Sequence, residues 1–388
     1  MVKTGLEVFL GNVEKYKGRR IALIVNQTSV TRDCRYIWDV LEERGLRIRR
    51  LFSPEHGIFS TEQDQAAVKR QPHVGCDVVS LYGDSYDSLI PDETALDDID
   101  LVLFDVQDVG SRYYTYVNTM ALFMEAIDGK DMEMMILDRP NPLGGIRVEG
   151  PLLMEGFVSF VGVFPVPIRH GMTAAELALL YKDFKKLDVN LSVVMMEGWK
   201  PSMFLFETGL PWIPPSPNMP TEETAFVYPG YCLFEGLNVS EGRGTTTPFQ
   251  LLGAPFIDPY EWVARLGGMD LQGVIFRPVY FKPTFHKYAD EVAGGVFIHV
   301  RDRTAFKPFL TGVAAVKALT DLYGDRLVFL KDVYEFNSVH PTFDLLTGGS
   351  RIREMILSGS CLREIENSWM GEENDFAMMR KEYLLYER

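Results

Sequence analysis

The sequence predicts an α/β protein with a parallel sheet in its first half and a smaller α+β domain after it. Short apolar runs alternate with helical patterns through residues 1–210, and the texture then changes to a Pro-, Gly- and aromatic-rich stretch followed by a few short strands. Length is the third indication. At 388 residues the chain exceeds the size at which one core keeps growing, so two domains are expected, 1–210 and 211–388.

The apolar runs IALIV (21–25), IRRLF (48–52), DVVSLY (77–82), LVLFDV (101–106) and MEMMIL (132–137) read as strands, several of them buried on both faces. Helical patterns lie between some of them, at 34–45 and at 112–128, where Tyr113, Val117, Met120 and Met124 share one stripe. Thr173 and Glu176 have capping-box spacing before a further helix, and LSVVMM (191–196) is the next strand. This alternation gives a Rossmann-like parallel sheet with helices on its faces. From about 200 to 260 the chain is too irregular for a sheet and too apolar for a disordered linker, so it reads as a long ordered loop of the kind that serves a site. GVIFRPVYF (273–281) and GGVFIHV (294–300) are then short strands, followed by a long helix around 306–323 and a charged, helical C-terminus.

Composition excludes several classes. With 39 Lys and Arg against 54 Asp and Glu, a net charge of −15, and no basic stripe, nucleic acid is not an expected ligand. Cys34, Cys76, Cys232 and Cys361 are far apart and lack a Cys-x-x-Cys pair, so they read as buried thiols, with a single disulfide as the alternative. No apolar run approaches the roughly 20 residues of a membrane span. The first residues, MVKTGLEVFLGNVEKYKG, show no signal peptide. A start so close to the first strand also suits a mature form, which leaves the compartment open.

In open parallel sheets ligands bind beyond the carboxyl ends of the strands. Four strands here end in polar clusters: Asn26 to Ser29, Ser53 to His56, Asp105 with Gln107 and Asp108, and Asp138 to Asn141. In the densest cluster Gly110 permits a sharp turn, and Ser111 can cap a helix beginning at Arg112, whose first turn would attract an anion. Tyr113, Tyr114 and Tyr116 offer faces for a sugar ring. The plainer alternative makes two of these tyrosines core and pairs Arg112 with Asp108.

No G-x-G-x-x-G follows the first strand, and neither a phosphate-binding loop nor a G-x-S-x-G elbow occurs. Glu55, His56, Asp105 and His170 can be written down as a metal set, but adjacent residues seldom converge on one ion and no His-x-His or His-Glu-x-x-His occurs. Neither a metal nor a cofactor is expected. Carboxylate chemistry remains. Glu55 follows Pro54 on a turn where Phe52, Ile58 and Phe59 can desolvate it, as a general acid requires, although a salt-bridged loop residue is the alternative. An acid, a second carboxylate and aromatics are the inventory for cleaving a glycosidic bond.

SPEHGIFS (53–60), FDVQDVGSRYYTYVNTM (104–120), LDRPNPLGG (137–145), PIRHGMTAAELA (167–178), PPSPNMPT (214–221) and SEGRGTT (240–246) resemble the exo-β-N-acetylmuramidase family of peptidoglycan hexosaminidases, long carried as a domain of unknown function. The resemblance runs from about residue 5 to the C-terminus. It implies a Rossmann-like domain joined to a smaller C-terminal domain with a cleft between them, and release of N-acetylmuramic acid from the non-reducing end of cell-wall fragments. It also implies export, to the periplasm or beyond. The glutamate of the S-P-E-H-G turn, Glu55, is its favoured catalytic residue, and Asp105 is expected as the second group, as nucleophile or as the group that orients the 2-acetamido substituent. The lactyl carboxylate of the sugar calls for a cation, from Arg112, Arg139, Arg169 or Arg243, with Arg112 favoured by its place at a helix start. Asn218, Glu235, Asn238 and Glu241 are expected as walls, and His56, Gln107, Tyr113, Asn141 and His170 as further sugar contacts. A metal-dependent amidase or deacetylase and a non-catalytic wall-binding protein are the rival readings.

Overall fold

All five side chains of Ile21–Val25 (β1) are buried, as suits a strand covered on both faces. The computed structural model describes residues 1–68 and 75–387. Around β1 lie Ile48–Ser53 (β2), Asp77–Ser80 (β3), Leu101–Asp105 (β4), Glu133–Leu137 (β5) and Asn190–Val194 (β6), in the spatial order β3-β2-β1-β4-β5-β6. Every pairing is parallel, with Val25 of β1 opposite Asp105 of β4. This is the Rossmann order, which reverses direction between β1 and β4 and opens a crevice at their carboxyl ends.

The helices expected from apolar spacing form where predicted, with one informative exception. Ile37–Glu43 lies within the first expected span, and Ala174–Lys185 starts at a capping box in which Thr173 and Glu176 each bond the other's backbone N–H. The second expected helix begins at Tyr116, later than its apolar stripe suggests. Residues 111–115 are drawn out of it because the Arg112 N–H donates to Ile168 O at 2.8 Å and Ser111 pairs with Arg169. Ser111 therefore caps nothing, and Arg112 does not stand at a helix start.

The stretch from 200 to 260 is more regular than its composition suggests. It contains the helix Glu222–Tyr231, which continues into a 3-10 turn despite Pro229. Residues Thr224 to Tyr231 are all buried, so the helix has no polar face and no period for the sequence to display. It crosses the helix Pro308–Tyr323 at backbone distance, since a Cβ on Gly230 would stand 1.9 Å from Pro308 O. Only glycine fits there.

Leu251–Ala254 (β7), Val274–Phe281 (β8) and Ala293–Val300 (β9) form a small antiparallel sheet in the order β7-β9-β8. One hydrophobic core runs without a break from Ile24 and Phe104 of the large sheet through Tyr113 and Tyr228 to Val296 and Val313. The last long helix, Leu362–Met379, returns to the first half, where Glu372 and Glu373 accept the backbone N–H groups of Leu152 and Gly150. All four cysteines are free thiols, and Cys34 and Cys361 are exposed, which corrects the expectation of burial for those two. No helix among the described residues is long and apolar enough to cross a membrane.

Candidate active site

Pro54 follows the end of β2, and the chain then turns through His56 and Gly57, with φ of 70° and 82°. This sharp reversal leaves Glu55 at the mouth of the crevice. Its carboxylate accepts the Thr115 hydroxyl at 2.7 Å on Oε2 and the Gln65 N–H at 3.3 Å on Oε1, and the residue is 4% exposed. Thr115 precedes the helix at Tyr116 but makes no cap bond, so its hydroxyl is available to the glutamate. His56 donates from Nδ1 to Glu62 O at 2.8 Å, holding the same loop. Pro215 O accepts both Ser60 Oγ, at 2.9 Å, and Tyr116 OH, at 2.5 Å, and so pins the Pro-rich segment beneath it.

A cavity opens above Glu55. Glu55, His56, Tyr113, Tyr114 and Thr115 form one wall, and residues beyond 210, among them Asn218, Tyr228, Glu235, Arg243, Tyr334 and Glu335, form the other. Four carboxyl groups line it: Glu55, Asp64, Glu235 and Glu335. Arg243 is the cation of this wall. It donates to Glu235 at 2.7 Å, pairs with Asp64 at 3.0 Å, and lies over the Phe249 ring at 5.2 Å. Burial raises the Glu235 carboxyl above the usual range, against the pull of Arg243. Glu241 stands behind Arg243, fully buried. Burial raises its carboxyl, but Lys287 at 3.0 Å, His286 at 3.2 Å and Arg243 outweigh that and hold it below the usual range. Asn218 donates to Gln63 at 2.8 Å and so braces the wall against the Glu55 loop.

Several predicted residues lie elsewhere. Asp105 is wholly buried in a two-pronged pair with Arg139, at 2.5 and 2.9 Å, and Arg139 also donates to Val30 O. Neither is among the residues that line the cavity. Their polar ends satisfy each other and the backbone at the β1–β4 switch. Gln107 is spent on the carbonyls of Asp108 and Pro140, and Asn141 on Met172 O and the Leu143 N–H. Gly110, at φ 83°, fits against Asn141, where a Cβ would meet Oδ1 at 2.3 Å. His170 is buried and pushed down to about 3, by burial first and then by Arg380, so its ring is neutral beside Asp108. Arg112 donates to Pro151 O, Val166 O and Leu346 O, at 2.8 to 2.9 Å, a structural clamp rather than an anion site or an Asp108 partner. Arg169 is buried and donates to Leu143 O, and Asn238 joins the backbone at Arg326 and Val328. Glu55, His56, Tyr113, Tyr114, Asn218, Glu235 and Arg243 are the predicted residues brought together, with Glu241 behind them.

Residues 21–223 match the family model described as exo-beta-N-acetylmuramidase NamZ, N-terminal, and residues 226–386 match its C-terminal counterpart. The chain belongs to the exo-β-N-acetylmuramidase NamZ family. It is 41% identical to the peptidoglycan beta-N-acetylmuramidase NamZ of Bacillus subtilis over 99% of this chain and 91% of that one. Two solved DUF1343 family proteins of Bacteroides fragilis share its fold: one at TM-score 0.89 and 35% identity, the other at 0.76 and 30%. Each comparison covers 100% of this chain and 99% of the other.

Among the groups of this NamZ-family cavity that sequence reasoning missed are Asp64, Thr115 and Glu335. Thr115 sits within a motif already singled out, but nothing in its spacing distinguishes a hydroxyl that orients a carboxylate from one that caps a helix. Glu335 lies in an unremarked polar stretch far along the chain. Among the described residues no group of three or more His, Cys, Asp or Glu side chains is arranged to hold a metal ion.

Proposed function

We propose that this chain is a glycoside hydrolase that releases N-acetylmuramic acid from the non-reducing end of peptidoglycan fragments, with Glu55 as its acid–base carboxyl. The observation that carries the reading is Glu55 itself. Its carboxyl is held by Thr115 and by the Gln65 N–H inside a cavity walled by both halves of the chain. Glycosidic bond cleavage needs a positioned carboxyl of this kind beside a sugar site. Tyr113, Tyr114 and Tyr228 supply rings at the walls, and similarity to the B. subtilis enzyme over nearly the whole chain supports the same substrate. The lactyl carboxylate falls to Arg243, which lines the cavity, whereas Arg112, Arg139 and Arg169 do not. We infer a periplasmic or extracellular location, which a cell-wall substrate would suit.

Release of 4-nitrophenol from its β-N-acetylmuramide tests the reading. Glu55→Gln should lower turnover by about 10² or more, the scale of losing an acid–base group, while circular dichroism and sugar binding stay as in the parent protein. Near-parental turnover in that variant overturns it.

A further inference from the structure

We propose that Glu335 is the second catalytic carboxyl of this site, the group that gives its proton to the leaving glycosidic oxygen while Glu55 serves as the base. The proposal rests on the hydrolase reading above and divides its acid–base work between two residues.

Backbone geometry is the first support. Tyr334 and Asn337 exchange both N–H···O bonds at 2.9 Å, so residues 334–337 form a tight hairpin turn. Its two central residues, Glu335 and Phe336, have φ of 45° and 64°. Turns of this hand take Asn-Gly or Gly-Gly, since a Cβ is disfavoured at both positions. Holding a glutamate and a phenylalanine there costs about 1 kcal/mol or more at each. Strain of this sort persists where the surroundings fix it, and active sites are where it collects. Here the surroundings are aromatic: the Phe336 ring packs against Tyr82 at 5.5 Å and against Phe160 at 6.4 Å.

The side chain is the second support. Glu335 is 6% exposed and lines the same cavity as Glu55. Tyr82, already the platform for Phe336, donates to its Oε2 at 2.9 Å. Among the described residues nothing hydrogen-bonds its Oε1. Burial, and then the charge of Glu55, push the Glu335 carboxyl well above the usual range, and the Tyr82 bond offsets this only in part. Both burial and the Glu55 charge favour the protonated form, which is the form a general acid needs. Both oxygens of Glu55, by contrast, already accept hydrogen bonds, which fits a proton acceptor. A buried carboxyl beside a second one that already holds two hydrogen bonds gives one site an acid and a base together.

In the reaction the bond from C1 to the glycosidic oxygen breaks as that oxygen takes the Glu335 proton, and the shortened fragment leaves as an alcohol. C1 gains a bond to the incoming oxygen nucleophile, and Glu55 takes up the proton the nucleophile sheds. With water consumed, the proton on Glu55 returns through solvent to Glu335. Atoms and charge balance without any further reactant.

Leaving-group dependence tests the assignment. A sugar leaving group needs a proton, whereas 4-nitrophenolate does not. Glu335→Gln should lower kcat/KM by about 10² or more on a muramyl disaccharide and by less than about 10-fold on 4-nitrophenyl β-N-acetylmuramide. The alkaline fall of the disaccharide pH profile should also move or vanish. Glu55→Gln should lose activity on both substrates, and normal activity there defeats the hydrolase reading rather than this one. Equal losses on both substrates in Glu335→Gln, or no loss on the disaccharide, overturn the proposal. Thermal melting of each variant separates lost chemistry from lost fold, and Tyr82→Phe, which keeps the ring beneath Phe336, should weaken the disaccharide reaction selectively if Glu335→Gln proves unstable.

Discussion

Thr115 Oγ1 donates to Glu55 Oε2 at 2.7 Å, joining the first residue before a helix to a turn after β2. A hydroxyl that makes no helix cap and reaches instead for a cavity carboxylate is a positioning group. Thr115→Val, which keeps the shape and removes the donor, should lower kcat by about 10-fold, in line with about 1.5 kcal/mol for a hydrogen bond to a charged group. KM should change little. Thr115→Ser should restore most of the rate, a rescue that a purely steric role would not give.

Arg112 should behave as a structural residue. It serves three buried carbonyls at once, so Arg112→Ala leaves three acceptors unsatisfied and a gap among Pro151, Val166 and Leu346. A loss of about 3 kcal/mol or more is expected, read by denaturant unfolding. The preference for muramic over glucosamine substrates, measured on whatever folded protein remains, should not change.

Arg243 should set that preference. Arg243→Lys keeps the charge beside Asp64 and Glu235 but loses the planar fork. The ratio of kcat/KM for the N-acetylmuramide to that for the N-acetylglucosaminide should fall by about 10-fold or more, through the muramic substrate alone. An unchanged ratio would remove Arg243 from the recognition of the lactyl group.

Stability should carry a pH signature from Glu149. Burial pushes its carboxyl from the ordinary 4.5 up to about 7, even though it accepts the Leu310 N–H at 2.8 Å and has Arg169 and Lys307 nearby. The folded form thus holds a proton that the unfolded chain gives up, so this contribution is complete below pH 4.5 and is lost as pH rises through about 7. Glu149→Gln removes that titration. Relative to the parent, the variant should gain about 1–3 kcal/mol between pH 5 and pH 8 in denaturant unfolding. A constant difference across that range would contradict it.

Extended treatment with a chelator should leave turnover of the muramide unchanged if carboxyl groups do the work. Loss of activity that a divalent ion restores would show that glycoside cleavage depends on a metal.

The sequence by itself determined the sheet and the position of Glu55. Strands buried on both faces must be continuous apolar runs, and a proline followed by a left-handed turn can only end such a run, so IALIV, LVLFDV and SPEHG announce their places. It could not rank the polar residues at the strand ends. An aspartate that pairs a buried arginine, an asparagine that satisfies a loop and a glutamate that faces a cavity obey the same local rule, because every buried polar group must find a partner. Packing decided among them: Asp105, Gln107, Asn141 and His170 turned inward, and Glu55 turned to the cavity. Packing also brought Glu335 to that cavity from a hairpin in the second half, held by Tyr82 and Phe336. No local pattern marks such a residue, because what selects it is a wall supplied by distant chain.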